Sequence, residues 1–153
     1  IKAFDLNKNV KKPILGLLET NKIKNCQYSD DEFLLEHFAN YQGQNTLVLC
    51  DIEGAEKNLL DPMKASSLTD MDIIVEAHDC FDKTISKTLT EKFSDTHVIE
   101  LIQDNGDRKL GELPNWFTNM AHLDQLLAMW EWRSGPTPWL VMKSKKANLL
   151  IKS

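Results

Sequence analysis

Acidic residues and a histidine follow two separate apolar runs of this chain. The run at 46–50 leads into the segment DIEG at 51–54, and the run at 71–75 leads into EAHD at 76–79. Short unbroken apolar runs are typical of strands buried on both faces, as in parallel sheets covered by helices. Because ligands bind at the carboxyl ends of such strands, we expect these side chains to form a site. The alternative is that the acids only mark the return of each strand to solvent.

Two kinds of chemistry are open to this group of side chains. Crowded carboxylates raise one another's pKa, or they recruit a hard cation that removes their repulsion. Asp51 and Asp79 are therefore candidate ligands for Mg²⁺ or Ca²⁺, with Glu76 or His78 as further candidates. His78 is alternatively a general base, because the pKa of free imidazole lies near neutral pH. A surface or capping histidine is the remaining interpretation.

The spacing of glycines and cysteines excludes several common sites. No glycines are spaced as in G-x-G-x-x-G or a Walker loop, and no serine lies in a nucleophile elbow. The three cysteines, Cys26, Cys50 and Cys80, lack metal-type spacing. They are typical of free thiols in a reducing compartment, which favours a cytoplasmic protein.

Length and charge narrow the class of protein further. A chain of 153 residues corresponds to one domain, and 42% hydrophobic with 27% charged residues is typical of a globular protein. A net charge of −5 disfavours nucleic-acid binding. No apolar stretch has the length of a membrane span, so we expect no membrane partner.

Predicted strands and helices alternate along the chain. Residues 1–5 are typical of a strand, and the alternation predicts an α/β fold, a sheet with helices on both faces. Further strands are predicted at 22–28, 46–51, 71–76, 97–102 and 138–142. Helices are predicted at 10–20 with Asn9 as cap, after a capping box at 29–32, after Asp82 with Ile85, Leu89 and Phe93 on one face, and at 121–133 with Trp130 buried.

The string LCDIEGAE at 49–56, followed by IIVEAHD at 73–79, resembles the FkbM-type branch of the S-adenosylmethionine-dependent methyltransferases. In that family D-x-E-G-x-E follows the fourth strand of a Rossmann-like sheet, and AFD at 3–5 is similar to the end of its second strand. The resemblance implies a Rossmann-like, mostly parallel sheet. It also implies methyl transfer from S-adenosylmethionine to a hydroxyl of a small molecule or sugar.

The resemblance also implies roles for individual residues. Asp5 would bind the cofactor ribose, and Ser29 and Asp30 would lie near the adenine. Asp51 and Glu53 would face the methyl donor and acceptor, with Asp51 contacting the cofactor as well. The proton of the acceptor hydroxyl would be removed by His78 as a base, or with the help of a metal at Asp51 and Asp79.

The first strand of the family and its glycine-rich loop have no counterpart in this sequence. That strand lies between the second and the fourth, so residues 1–7 and 46–51 would flank a gap with unpaired backbone groups. Each such group costs about 1–3 kcal/mol when buried. We therefore expect residues 1–153 to form one incomplete domain. Residues upstream in the natural protein would complete the sheet, or alternatively a second copy of the chain in a homo-oligomer.

Two other functions are compatible with the sequence. A strand ending in DIEG is similar to haloacid-dehalogenase-type phosphatases, which use D-x-D-G-T with the first Asp as nucleophile. Glu53 and Ala55 depart from that pattern. The other alternative is a non-catalytic α/β binding module.

Overall fold

The computed structural model describes residues 1–104, 111–129 and 134–146. The chain divides into two compact units, Ile1–His37 and Phe38–Ser153. The strands within the described ranges are β1 (Lys2–Phe4), β2 (Gln27–Ser29), β3 (Leu47–Cys50), β4 (Asp72–Glu76), β5 (His97–Ile102) and β6 (Trp139–Ser144). The α-helices are α1 (Lys11–Thr20), α2 (Glu56–Leu59), α3 (Ile85–Phe93), α4 (Asn115–Thr118) and α5 (His122–Met129), and short 3₁₀ segments lie at Lys8–Val10, Leu35–Tyr41 and Ser66–Asp70.

The first unit is a parallel strand pair joined by a helical crossover. β1 pairs with β2 so that Ala3 lies opposite Tyr28, and α1 lies between the two strands in sequence. The predicted helix at 10–20 is present, but Asn9 does not cap it. The side chain of Asn7 accepts the Asn9 N–H at 3.1 Å, and a 3₁₀ turn at Lys8–Val10 leads into α1. Asn7 is the cap because its carbonyl-type oxygen reaches the backbone N–H two residues ahead.

The second unit contains a four-stranded mixed sheet in the order β3-β4-β6-β5. β3 and β4 are parallel, whereas β4 with β6 and β5 with β6 are antiparallel. The prediction of a mostly parallel, Rossmann-like sheet is therefore wrong. Alternation of strands and helices indicates parallel pairing only where a helix carries the chain back to the starting edge. Between β5 and β6 the chain does not return in this way.

The core of the second unit is built on the two central strands and α3. Ile73 and Val75 of β4 lie opposite Met142 and Leu140 of β6, and all four are at most 1% exposed. Helix α3 adds the predicted face of Ile85, Leu89 and Phe93, each fully buried. The predicted strand at 97–102 is also confirmed with its bounds unchanged.

One predicted strand is less buried than its sequence indicates. β3 is an edge strand of its sheet, and Leu47 and Leu49 are 61% and 69% exposed. Only its other face packs inward, through the buried Cys50. The prediction that this run is buried on both faces is therefore wrong, since an apolar run does not distinguish a central strand from an edge strand.

Helix α5 lies in the described part of the helix predicted at 121–133. Its apolar residues Leu123 and Leu126 are 66% and 63% exposed, so the stripe is not buried as its spacing suggested. Trp130 and the rest of the segment at 130–133 lie outside the described residues. Among the described helices, none has both the length and the apolar character needed to cross a bilayer.

Candidate acidic and histidine site

The parallel pair β3–β4 brings the two acidic segments to one edge of the sheet. Cys50 lies opposite Val75 in the register of this pair. The next residues along the two strands, Asp51 and Glu76, therefore lie at the same edge of the sheet. This is the convergence that the sequence pattern predicts, and it requires only that these two strands be parallel.

A tight turn follows Asp51 and directs the next carboxylate back toward the strand end. Glu53 has a φ of 55° and Gly54 a φ of 105°, both in the left-handed region. Glycine adopts this conformation freely, whereas a non-glycine residue costs about 1–2 kcal/mol there. The turn therefore holds Glu53 in an unfavourable backbone conformation, which the surrounding contacts must offset.

His78, two residues beyond β4, is the centre of the site. Its side chain is fully buried, and Nδ1 lies 2.5 Å from Oε1 of the equally buried Glu56. The same oxygen accepts the Gly54 N–H at 3.0 Å. Because Oε1 acts as an acceptor toward Gly54, we assign the shared hydrogen to Nδ1 of His78, which leaves Nε2 as the other functional atom of the ring.

Nε2 of His78 faces the two carboxylates of the turn. It lies 3.2 Å from Oε2 of Glu53 and 3.6 Å from Oδ1 of Asp51. Neither approach has hydrogen-bond geometry, and among the described residues Nε2 has no hydrogen-bond partner, nor has Oε2 of Glu56. The side chains of Asp51 and Glu53 are 50% and 70% exposed. The site thus has a buried imidazole beneath two carboxylates that contact solvent.

An aromatic ring covers one side of the imidazole. Phe81 stacks on His78 with ring centroids 5.8 Å apart and an angle of 11° between the planes. A Cβ placed on Gly54 would lie 3.5 Å from the ring of Phe81. The ring therefore lies against both the turn after β3 and the histidine.

The thiol of Cys50, the last residue of β3, lies in a buried and negatively charged environment. Burial raises the pKa of its thiol to about 12, and the negative charges of Glu56 and Asp51 act in the same direction. A raised pKa disfavours the thiolate, so the thiol is a poor nucleophile at physiological pH.

Asp79 and Glu76, both candidate ligands from the sequence, lie in different surroundings. Oδ1 and Oδ2 of Asp79 accept the backbone N–H and the hydroxyl of Ser86 at 2.9 and 2.5 Å, which ties Asp79 to the first turn of α3. Glu76, by contrast, is 5% exposed, and it offers an oxygen that lies within 4.8 Å of ligand atoms of Asp51 and His78. Of the metal candidates, Asp51, Glu76 and His78 are thus grouped, and Asp79 is not among them.

The residues that the resemblance assigns to the cofactor lie in the first unit. Asp5 follows β1, while Ser29 ends β2 and Asp30 follows it, so all three lie at the carboxyl edge of that parallel pair. Oδ1 of Asp5 accepts the Asn7 N–H at 2.7 Å. Oδ1 of Asp30 is 2.8 Å from Nζ of Lys11, and this hydrogen bond lowers the pKa of Asp30 below its usual range.

Glu56 is the site residue whose role the sequence did not indicate. It closes the D-x-E-G-x-E string and lies on the one-turn helix α2, yet it is fully buried against His78. An acid on a short helix is normally solvated, so its residue type alone does not predict burial. The only signal in the sequence for its role was the spacing of the D-x-E-G-x-E string. With this spacing, the tight turn after β3 brings Glu56 back toward the end of that strand.

Comparison with known proteins gives no relative. No family model, no curated protein and no solved structure matches this chain.

Proposed function

We propose that this protein is an S-adenosylmethionine-dependent methyltransferase that acts on a hydroxyl group of a small molecule or sugar. The observation that carries the proposal is the arrangement of exposed Asp51 and Glu53 carboxylates over the buried Nε2 of His78. The resemblance of the segment at 49–56 to FkbM-type methyltransferases adds the methyl donor. The proposal depends on this site and not on a Rossmann-like sheet.

The chemistry requires a hydroxyl oxygen aligned with the donor methyl and relieved of its proton. Methyl transfer from a sulfonium is an in-line displacement, so orientation and exclusion of water supply much of the rate. In the proposed mechanism the exposed carboxylates of Asp51 and Glu53 accept the hydrogen of the acceptor hydroxyl. His78, held by Glu56 through Nδ1, lies behind them as a positioning residue, with Nε2 3.2 Å from Oε2 of Glu53 and 3.6 Å from Oδ1 of Asp51.

Three residues of the first unit are the donor contacts that the resemblance implies. Asp5, Ser29 and Asp30 follow the carboxyl edge of the β1–β2 pair, the type of position where open parallel sheets bind ligands. In the proposal the Asp5 carboxylate binds the ribose hydroxyls, and Ser29 and Asp30 lie near the adenine.

Binding of the demethylated cofactor tests the donor half of the proposal. S-adenosylhomocysteine at a hundred times its Kd should stabilise the protein, at its natural length, by about 2.7 kcal/mol in urea unfolding. Asp5→Asn should remove this stabilisation, whereas Asp95→Asn, at an exposed position away from the acidic segments, should retain it. Absence of any stabilisation at millimolar S-adenosylhomocysteine would refute methyl transfer and favour a non-catalytic binding module.

Transfer of a radiolabelled methyl group tests the acceptor half. With a panel of sugars and small alcohols, Asp51→Asn should slow methyl incorporation by about 10²–10⁴-fold. His78→Gln should change the pH profile of kcat, because it removes an imidazole nitrogen that lies within 3.6 Å of both carboxylates. Hydrolysis of p-nitrophenyl phosphate that is abolished by Asp51→Asn would instead show the phosphatase alternative and contradict the proposal.

A further inference from the structure

We infer that Asp51, Glu76 and His78 form a binding site for a divalent transition-metal ion, with Glu56 as the carboxylate that orients the histidine. The inference concerns cation binding itself and does not depend on methyl transfer. One ligand atom from each of the three residues lies within 4.8 Å of the other two. Donor atoms that share one cation at roughly 2.0–2.6 Å lie at most about 5 Å apart, so the three fit a single ion.

The buried Nε2 of His78 is the second, independent observation. Within the described ranges it has no hydrogen-bond partner, although it is buried and lies 3.2 and 3.6 Å from oxygens of Glu53 and Asp51. A buried polar atom without a partner is uncommon in proteins, because leaving it unsatisfied costs about 1–3 kcal/mol. An unprotonated Nε2 would also direct its lone pair at two carboxylates. A cation between these atoms removes both penalties.

The other side of the ring has the geometry expected of a metal-bound histidine. A histidine that binds metal through one nitrogen generally donates its other N–H to a carboxylate, which fixes the tautomer and the ring orientation. Nδ1 of His78 has this contact with Glu56 at 2.5 Å, and the Gly54 N–H holds the same carboxylate oxygen. Phe81 stacks on the ring and limits its rotation.

The donor set selects the class of metal. One imidazole nitrogen with carboxylate oxygens suits Mn²⁺, Fe²⁺ or Zn²⁺ better than Mg²⁺ or Ca²⁺, which prefer oxygen ligands alone. Glu53, whose Oε2 lies on the solvent side of Nε2, is the nearest additional oxygen donor.

Mn²⁺ binding measured by electron paramagnetic resonance tests the site in the protein at its natural length. We expect one Mn²⁺ per chain, and Asp51→Asn and Glu76→Gln should each weaken its affinity at least tenfold. Glu56→Gln, which leaves the three ligands in place, should weaken it by about 10–100-fold. Asp95→Asn, in the exposed turn before β5, is the matched carboxylate control and should leave the affinity unchanged.

A fifth variant separates this site from the pair of aspartates that the sequence favoured. Because both oxygens of Asp79 accept hydrogen bonds from Ser86, Asp79→Asn should keep Mn²⁺ affinity within twofold. Loss of affinity in Asp79→Asn as large as in Asp51→Asn would overturn the assignment. So would the absence of Mn²⁺ binding to the folded protein, or binding that neither Asp51→Asn nor Glu76→Gln weakens. These measurements contain no methyl donor, so their failure is distinct from failure of the proposed function.

Discussion

The buried pair of Glu56 and His78 predicts a large loss of stability when either partner is removed. Glu56→Ala leaves the buried Nδ1–H of His78 and the part-buried N–H of Gly54 without their acceptor. A fully buried orphaned donor costs about 1–3 kcal/mol and a part-buried one less, so the expected loss is about 2–4 kcal/mol. That is a large share of the roughly 5–15 kcal/mol that stabilises a typical domain. Glu56→Gln, which keeps the shape and one acceptor oxygen, should cost less.

A double-mutant cycle measures the interaction between the two side chains directly. Glu56→Ala, His78→Ala and the double variant, unfolded in urea, should give a coupling energy of about 1.5–3 kcal/mol, the range of hydrogen bonds to charged groups. Glu91→Ala is the control, because that side chain is 66% exposed and its ion pair with Lys87 spans 3.9 Å. It should change stability by less than about 0.5 kcal/mol.

Two results would refute this interpretation of the pair. One is a coupling energy below about 0.5 kcal/mol, which is within the additivity expected of independent sites. The other is a Glu56→Ala variant no less stable than Glu91→Ala. Where Glu56→Ala does not fold, the cycle run with Glu56→Gln and His78→Gln answers the same question with smaller losses.

Two further predictions concern the core and the pH dependence of folding. Leu89→Ala on α3 should lower the free energy of unfolding by about 2–5 kcal/mol, because Leu89 is fully buried. Leu123→Ala on the exposed face of α5 should lower it by less than about 0.5 kcal/mol. Equal urea midpoints for the two variants would contradict the described burial. Burial lowers the pKa of His97 below its usual 6.5, against the opposing effect of its hydrogen bond to the Met71 carbonyl. Below pH 6.5 the unfolded chain therefore takes up a proton that the folded chain resists, so stability falls as the pH falls. His97→Gln should reduce this fall in urea titrations between about pH 7.5 and 5, and an unchanged slope would show that His97 is not responsible.

Local patterns in the sequence predicted individual elements well where burial follows the period of the element. Helix α3 has its three buried residues at intervals of four, and this spacing alone identifies the face that meets the core. The strand at 97–102 was also predicted with its bounds. Helix α5 shows the limit of the same reasoning. Its leucines have helical spacing, yet Leu123 and Leu126 are exposed, because periodicity says which residues share a face and not what covers it.

The direction of the strands could not be predicted in the same way. Nothing in the sequence of β6 distinguishes a strand parallel to β4 from the observed antiparallel one, because the side chains alternate identically in both. The family resemblance supplied the direction instead, and it implied a mostly parallel sheet. The position of Asn7 as the cap of the turn before α1 was missed for a related reason: Asn7 and Asn9 are equally good caps by type, and only the backbone conformation decides between them.

The candidate site does not depend on that error, because its geometry depends only on the single parallel pair. β6 lies on the side of β4 opposite to β3. The direction of β6 therefore does not alter the edge of the sheet at which Asp51 and Glu76 lie. The acidic residues after the two apolar runs predicted that a site lies at this edge of the sheet. They did not predict which of the acidic side chains is buried. Asp79 is directed to Ser86 because α3 begins six residues later and needs an acceptor for its first N–H groups. Glu76 is still within β4, and the alternation of that strand, together with the turn held by Glu56, determines which carboxylates surround His78.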